Sequence, residues 1–350
     1  MMVPLRRRTV LVAAALLVGA ATCAHAQAGE PALAVYQGPD RTQRLLDGAK
    51  KEGELTLYSS MQMESIAPLQ KAFEDRYAVK IKIWRGSGND VLLRTVTEAK
   101  GNRAFLDVAE SDGFALEALY REGLLQEVKS PYLADLIPEA IRPQGQWVGT
   151  RVNIFSGVYN TNMVKKEALP TRYEDLLDPR FKGMLGIEAD DYDWFGMLVG
   201  LLGEEKGLRL FRDVAATNGL SVRKGHTLLT NLAAAGEVPI GLTIFMQNAD
   251  VAKKAGAPVD WFLLPPTVAR ANGIAVAKHA PHPHAALLFY DFMLNEGQQI
   301  MLGREFVPAS RKISSALDGI KLHFVDPEIV LDNRSKWQRV YGEVIRSGGR

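Results

Sequence analysis

The chain has 350 residues, 47% of them hydrophobic and 23% charged, with 42 Lys and Arg against 40 Asp and Glu. Three of the 42 basic residues, Arg6, Arg7 and Arg8, stand within the first 26 positions, which hold no acid, so the remainder carries 39 basic against 40 acidic residues. A net charge near −1 gives no reason to expect nucleic acid or an anionic membrane as partner, and the single cysteine, Cys23, leaves the rest of the chain without disulfide or thiolate chemistry.

Arg6 to Arg8, an apolar run from Val10 to Ala21 and then Ala24-His25-Ala26 follow the order of a secretory leader, with cleavage expected after Ala26 and the mature protein expected in the periplasm. The run is short for a membrane span, and no later segment reaches the roughly 20 apolar residues a bilayer requires. Arg7-Arg8-Thr9 leaves both the general secretory and the twin-arginine routes open. Removing a 26-residue leader leaves 324 residues, more than one core usually organises, which predicts two lobes.

From Gly53 the pattern alternates short β-rich runs with amphipathic stretches. Strands are expected at Leu55–Tyr58, Val79–Trp84 and Phe105–Ala109, with helices at Glu64–Tyr77, at Asp90–Lys100 and through Leu116 and Leu119 up to Gly123. The middle repeats the theme, with strands at Val152–Tyr159, Met184–Ile187 and Ile240–Ile244 and helices at Asp193–Leu202, Lys206–Ala216 and Thr227–Ala235. Strands at Val259–Leu264 and Gly273–Ala277 then lead to helices at Pro283–Leu294 and Asp326–Ile345. Such alternation predicts an α/β protein with mixed sheets flanked by helices, and a lobe inserted between Trp147 and about Pro265 would be joined by two crossing segments, a hinge.

Ligands of open α/β sheets bind at the carboxyl ends of strands, beside helix N-termini. The residues there are Ser59, Ser60 and Gln62; Arg85, Ser87 and Gly88; Ser111 and Asp112; and, in the second half, Asp190, Asp193 and Trp194, then Phe245, Gln247 and Asn248. Each has a plainer role open to it: Ser and Asp cap helices, Gly86-Ser87-Gly88 makes a tight turn, and Asp190, Asp191 and Asp193 suit a solvated helix N-terminus. Against that, three acids beside an aromatic ring also suit a metal or an amine. His279, His282 and His284 fit the opening of a helix behind Pro283 better than any zinc spacing. The chain contains no G-x-S-x-G, H-E-x-x-H, phosphate-loop or dinucleotide-binding motif.

Several segments taken in order carry a family resemblance: Gly53-Glu54-Leu55-Thr56-Leu57-Tyr58-Ser59, Gly157-Val158-Tyr159-Asn160-Thr161-Asn162, Asp178-Pro179-Arg180-Phe181-Lys182-Gly183, Gly256-Ala257-Pro258-Val259-Asp260-Trp261, Asn272-Gly273-Ile274-Ala275-Val276, and His282-Pro283-His284-Ala285-Ala286 onward. Together they resemble periplasmic solute-binding proteins of ABC importers in the ferric-iron-type branch, akin to the family 1 extracellular solute-binding proteins. The resemblance implies a two-lobed type II periplasmic-binding-protein fold with a two-strand hinge. Lobe 1 would comprise 27–150 plus 266–350, and lobe 2 would comprise 151–265. It also implies a monomer without cofactor or covalent step, which closes on a small molecule or ion and docks on a membrane permease.

Ferric-binding members carry a tyrosine pair just after the strand that here reads Ile240-Gly241-Leu242-Thr243. This chain continues Ile244-Phe245-Met246-Gln247-Asn248, with no phenol to offer a hard oxygen donor to Fe³⁺. Tyr58 and Tyr159 remain, each better suited to packing on its strand. A small anion would use the helix N-termini near Ser59, Ser60, Ser87 and Gly88 with Arg85 or Arg270; an amine or metal would use Asp112 and the Asp190–Asp193 cluster; Phe245, Met246 and Trp194 favour an organic solute. The other class open to this sequence is an exported two-lobed hydrolase, with His226 as its base.

Overall fold

The computed structural model describes residues 32–315 and 319–346; the leader, Cys23 and the expected cleavage site lie outside them. Among the described residues no helix is long and apolar enough to cross a membrane. The first half of the fold runs α1 (Arg41–Glu52), β1 (Glu54–Ser59), α2 (Met63–Tyr77), β2 (Lys80–Arg85), α3 (Gly88–Lys100), β3 (Val108–Asp112) and α4 (Gly113–Arg121). After a stretch of short 3-10 turns, β4 (Val148–Asn160) opens the second half, which continues with β5 (Leu185–Glu188), α5 (Tyr192–Leu202), α6 (Glu204–Asn218), β6 (Ser221–Arg223), α7 (His226–Ala235), β7 (Ile240–Phe245), α8 (Met246–Lys254) and β8 (Val259–Phe262). The chain returns through β9 (Thr267–Val276), α9 (Pro283–Leu294), α10 (Glu296–Leu302), β10 (Val307–Pro308), β11 (Leu322–Phe324) and α11 (Pro327–Arg346).

The strands follow the order β2-β1-β3-β9-β4-β7-β5-β6. Parallel pairing holds β2-β1-β3 at one end and β7-β5-β6 at the other, while β9 and β4 join the two ends through antiparallel contacts. β4 changes partner along its length: Val148–Ile154 pair with β9, and Phe155–Tyr159 with β7. Each end has its own core. Leu55, Leu57, Ile66, Leu69 and Phe73 pack with nearly the whole of α9 in the first, and Phe155, Ile187, Phe195, Leu198 and Phe211 form the second.

Local chemistry explains most element ends. Ile66, Leu69 and Phe73 bury one face of α2, as the helical spacing requires. Ser87 caps α3 in a reciprocal box, accepting from Asp90 N at 3.2 Å while Asp90 accepts from Ser87 N at 2.8 Å. Asp112 caps α4 by accepting from Ala115 N at 2.9 Å. Pro283 occupies the first turn of α9, and the two histidines beside it are held by carboxylates, His282 by Asp107 at 2.8 Å and His284 by Glu52 at 2.7 Å.

Expected strand bounds need correction: β9 begins at Thr267, six residues before the expected Gly273. The third strand lies at Val108–Asp112, beyond the expected Phe105–Ala109, because Glu110 and Ser111 are polar yet fully buried. The residues after Phe245 are helical: Asn248 Oδ1 accepts from Phe245 N and opens α8. Helix α11 spans both ends of the molecule. Arg121 and Arg142 tie its first turns to the first half through Asp332 and Glu328, whereas Val340, Tyr341, Val344 and Ile345 belong to the second core.

Candidate functional site

A cavity of about 510 Å³ lies where the carboxyl ends of β1, β2, β3, β6 and β7 converge. From the first half it is lined by Ser60, Gln62, Arg85, Ser87, Gly88 and Asp112, and from the second by Lys224, Gly225, His226, Thr227, Phe245, Gln247 and Asn248. Arg151, Asn153, Arg270 and Asn272 of the joining strands form its floor. There Gln247 donates to Asn153 at 3.3 Å and Asn153 to Asn272 at 3.0 Å, which links α8, β4 and β9 in one polar chain.

Charge is the site's dominant property. Arg85, Arg151, Lys224 and Arg270 line it together with His226, against one carboxylate among the described residues, Asp112. Arg270 donates to Asp193 at 2.8 Å. Arg151 is buried and pairs through Nη1 with the buried Glu110, which also accepts from Ser59 Oγ and Met61 N. Lys224 lies 3.3 Å from Asp190, and the Arg85 side chain makes no ion pair or hydrogen bond among the described residues. Helices α2, α7 and α8 begin at the cavity without a capping side-chain bond to their first turns from Gln62, Gly225 or Phe245. Their free N–H groups add positive potential.

Ten of the sixteen residues expected to line a cleft do so: Ser60, Gln62, Arg85, Ser87, Gly88, Asp112, Phe245, Gln247, Asn248 and Arg270. The other six lie elsewhere. Ser59 is fully buried on Glu110. Ser111 is buried beneath Gly88, its hydroxyl without a partner among the described residues. Tyr159 packs against Phe262 and Trp194 is core, 1% exposed. Asp190 faces Lys224 outside the lining, and Asp193 meets the site only through Arg270. Nor is the whole acidic cluster solvated as helix-dipole reasoning expects: Asp191 and Asp193 are buried, Asp191 bonded to the His226 ring and Asp193 to the Arg270 guanidinium.

Sequence reasoning missed Arg151, Asn153 and Asn272, whose strands carried no end-of-strand signal, and it weighed His226 only as a catalytic base. The imidazole of His226 stacks on Phe245, with centroids 4.1 Å apart. A carboxylate can only accept, so Nε2 is the donor to both Asp191 oxygens, at 3.0 and 3.2 Å. Glu188 stands beneath them and accepts from Asp190 N at 2.5 Å and Gly225 N at 2.8 Å.

Glu188, Asp191 and His226 bring ligand atoms within 4.8 Å of one another, yet the donor set fits a metal poorly. Both Glu188 oxygens already serve backbone N–H groups, and Asp191 is held by the imidazole. Tyr58 supplies no phenolate either: it donates to Glu98 at 2.8 Å and burial pushes its pKa to about 12.

Comparisons with known proteins agree with this architecture. The chain is 28% identical over 285 residues to iron uptake protein A1 of Synechocystis, covering 77% of this chain and 78% of that protein. It shares its fold with iron-bound HitA of Pseudomonas aeruginosa (TM-score 0.72, 24% identity, 83% of this chain and 99% of the other). It also shares it with the periplasmic binding protein AfuA of Actinobacillus pleuropneumoniae carrying fructose-6-phosphate (TM-score 0.73, 24% identity, 84% and 99%). The two sheet ends joined by β4 and β9 are thus the lobes of a periplasmic-binding-protein fold. With the family model for bacterial extracellular solute-binding proteins matched over residues 106–333, on both sides of the cavity, the chain belongs to that family of solute receptors.

Proposed function

We propose that the chain is the periplasmic receptor of an ABC importer and that its cargo is a small organic anion, a phosphorylated or carboxylated solute. The observation that carries this reading is the cavity's basic lining, Arg85, Arg151, Lys224, His226 and Arg270, together with the first turns of α2, α7 and α8, whose N–H groups receive no side-chain cap from Gln62, Gly225 or Phe245. Oriented N–H groups and guanidinium forks bind phosphate and carboxylate oxygens through charge-assisted bonds. A volume near 510 Å³ suits an organic molecule more than a bare ion, and Phe245 supplies an apolar wall. The fold is shared by an iron-bound and a sugar-phosphate-bound protein, and the local chemistry favours the second kind of cargo.

Capture follows from the topology. The proposed lobes, 27–150 with 266–350 and 151–265, meet along β4 and β9, and a solute touching both lobes favours the closed state by its differential affinity for it. The end of α11 is the exception to this division, since it packs on the second core. The mature receptor, cleaved after Ala26, acts as a monomer and delivers its cargo to a membrane permease. The hydrolase alternative finds no support: among the described residues the partner of the His226 ring is a carboxylate, with no hydroxyl nucleophile bonded to it.

The test is a thermal-shift screen of the leaderless protein against phosphorylated sugars, phosphonates, carboxylates, polyamines and ferric salts, with and without chelator. Ligand binding to the native state raises the melting temperature. A shift with an organic anion, unaffected by chelator, is expected; a shift confined to ferric iron and abolished by chelator would overturn the reading.

A further inference from the structure

We infer that His226 is the charge-selecting contact of the cavity, a cationic imidazole that meets the anionic group of the solute; the inference rests on the organic-anion reading above. Four features of its setting carry it. His226 is the first residue of α7 and lines the cavity, so it stands where the unpaired N–H groups of that helix already favour an anion. Its Nε2 is committed to Asp191, while Nδ1 has no partner among the described residues and is not among the buried polar atoms left unsatisfied. The second N–H of the cation is therefore the one available to a ligand.

The ring lies against Phe245, and on the same phenyl the Arg270 guanidinium sits 4.9 Å from the centroid. One aromatic ring thus carries two groups that donate to anions. Finally, Glu188 fixes the backbone on both flanks, at Asp190 and at Gly225, so the imidazole and its carboxylate are positioned together.

The charged groups around the ring decide its state. Asp191 from the start of α5 and Glu188 from β5 favour the cation; Arg270 from β9 opposes it, and Lys224, next but one in sequence, is offset by Asp190. Tyr341 of α11 reaches Glu188 through its backbone carbonyl and stays protonated because it is buried. Burial of His226 works against its charge, but the two carboxylates outweigh it and leave the pKa above the ordinary 6.5. A neutral imidazole keeps its one N–H on Asp191 and turns an unprotonated Nδ1 towards the anion, an acceptor with neither a hydrogen bond nor a charge to give, so protonation is the step that separates anionic from neutral solutes.

The test compares the leaderless wild type with His226→Gln, whose amide can still donate to Asp191 but stays neutral. Titration calorimetry with fructose-6-phosphate, citrate and inorganic phosphate from pH 5.5 to 9 gives the ratio of the two affinities, in which each probe's own titration cancels. We expect a ratio of about ten at the acid end, the size of one charge-assisted hydrogen bond, falling towards one as the imidazole loses its proton. Asp191→Asn, read by the same calorimetry and by NMR titration of the imidazole, should move the midpoint of that fall to lower pH. An anion bound with a ratio of one at every pH would overturn the inference and leave the anion reading standing. Failure of all three anions to bind either protein would overturn both.

Discussion

Arg270 of β9 reaches across to Asp193 in the first turn of α5, with Nη1 2.8 Å from Oδ2, and the same guanidinium lies 5.4 and 4.9 Å from the Phe155 and Phe245 ring centroids. A joining strand is thereby tied to the second lobe at the edge of the cavity. The pair is mostly buried, so removing either partner leaves an uncompensated charge, at a cost of about 3–5 kcal/mol for a fully buried pair. Partial exposure of the arginine places the expected loss at the lower end of that range. Binding should split the two variants. Arg270→Gln removes a donor to the anion and should weaken binding about tenfold or more, whereas Asp193→Asn removes a competitor for the guanidinium and should preserve or tighten it. Urea unfolding and calorimetry measure both; equal weakening in the two variants would show that Arg270 does not meet the solute.

Gly88 opens α3 at the rim of the cavity, and a Cβ there would overlap Asp112 Oδ2. Gly88→Ala must push aside the carboxylate that caps α4. Loss of the cap costs about 0.5–2 kcal/mol, and the displaced side chain enters the space of the solute. A lower melting temperature together with weakened anion binding is expected; unchanged binding would place the solute away from this rim.

How much of this was legible in the sequence depended on which interactions are local. β1, β2 and α9 announce themselves because their apolar residues repeat at strand or helix spacing and Pro283 marks a first turn. Strand β9 did so only in its second half, the expected strand from Gly273: before it Arg270 and Asn272 interrupt the apolar pattern because they serve the cavity rather than a core. Glu110 hid β3 in the same way, since its charge is met by Arg151, 41 residues away. The loops at strand ends were found from local rules, and most of their residues line the cavity. The role of His226 depends on Asp191 and Glu188, which are distant in sequence and gathered only by the pairing of β5 with β6 and β7.

Two carboxylates should respond to pH with opposite sign. Burial, reinforced by Asp191, raises the Glu188 pKa above 4.5, so the native state holds this proton more tightly than the unfolded chain does. Its contribution is fully present below the unfolded value and is lost as pH rises through the folded one. Asp175 is the reverse: hydrogen bonds from the Thr171 backbone and hydroxyl lower it to about 2, so its contribution is present above 3.8 and is lost as pH falls through about 2. Chemical denaturation across pH 2–7 should show the advantage of wild type over Glu188→Gln shrinking with rising pH, and the advantage over Asp175→Asn growing. Parallel profiles for the two variants would contradict this account.

Helix α11 provides a contrast within one element. Its first turns meet the first lobe through Arg121 to Asp332 at 2.6 Å, Arg142 to Glu328 at 2.7 Å and Arg334 to Asn89 at 3.1 Å, contacts with at least one exposed partner. Such pairs contribute about 0–1 kcal/mol each and are screened by salt. Its last turns bury Val340, Tyr341, Val344 and Ile345, and Tyr341 donates to the Glu188 carbonyl at 2.5 Å. Val344→Ala should therefore cost about 2 kcal/mol in urea unfolding, from lost apolar area and the small cavity left behind. Tyr341→Phe should cost about 1–2 kcal/mol by stripping a buried carbonyl of its donor. Arg142→Ala combined with Arg334→Ala should leave stability within about 1 kcal/mol of wild type but shift the receptor towards the open form, because these contacts join α11, fixed on the second lobe, to the first. Small-angle scattering of the ligand-free protein at low and high salt reads that shift directly: the wild type should expand with salt towards the dimensions of the double variant, and identical, salt-independent profiles would show that α11 does not restrain the lobes.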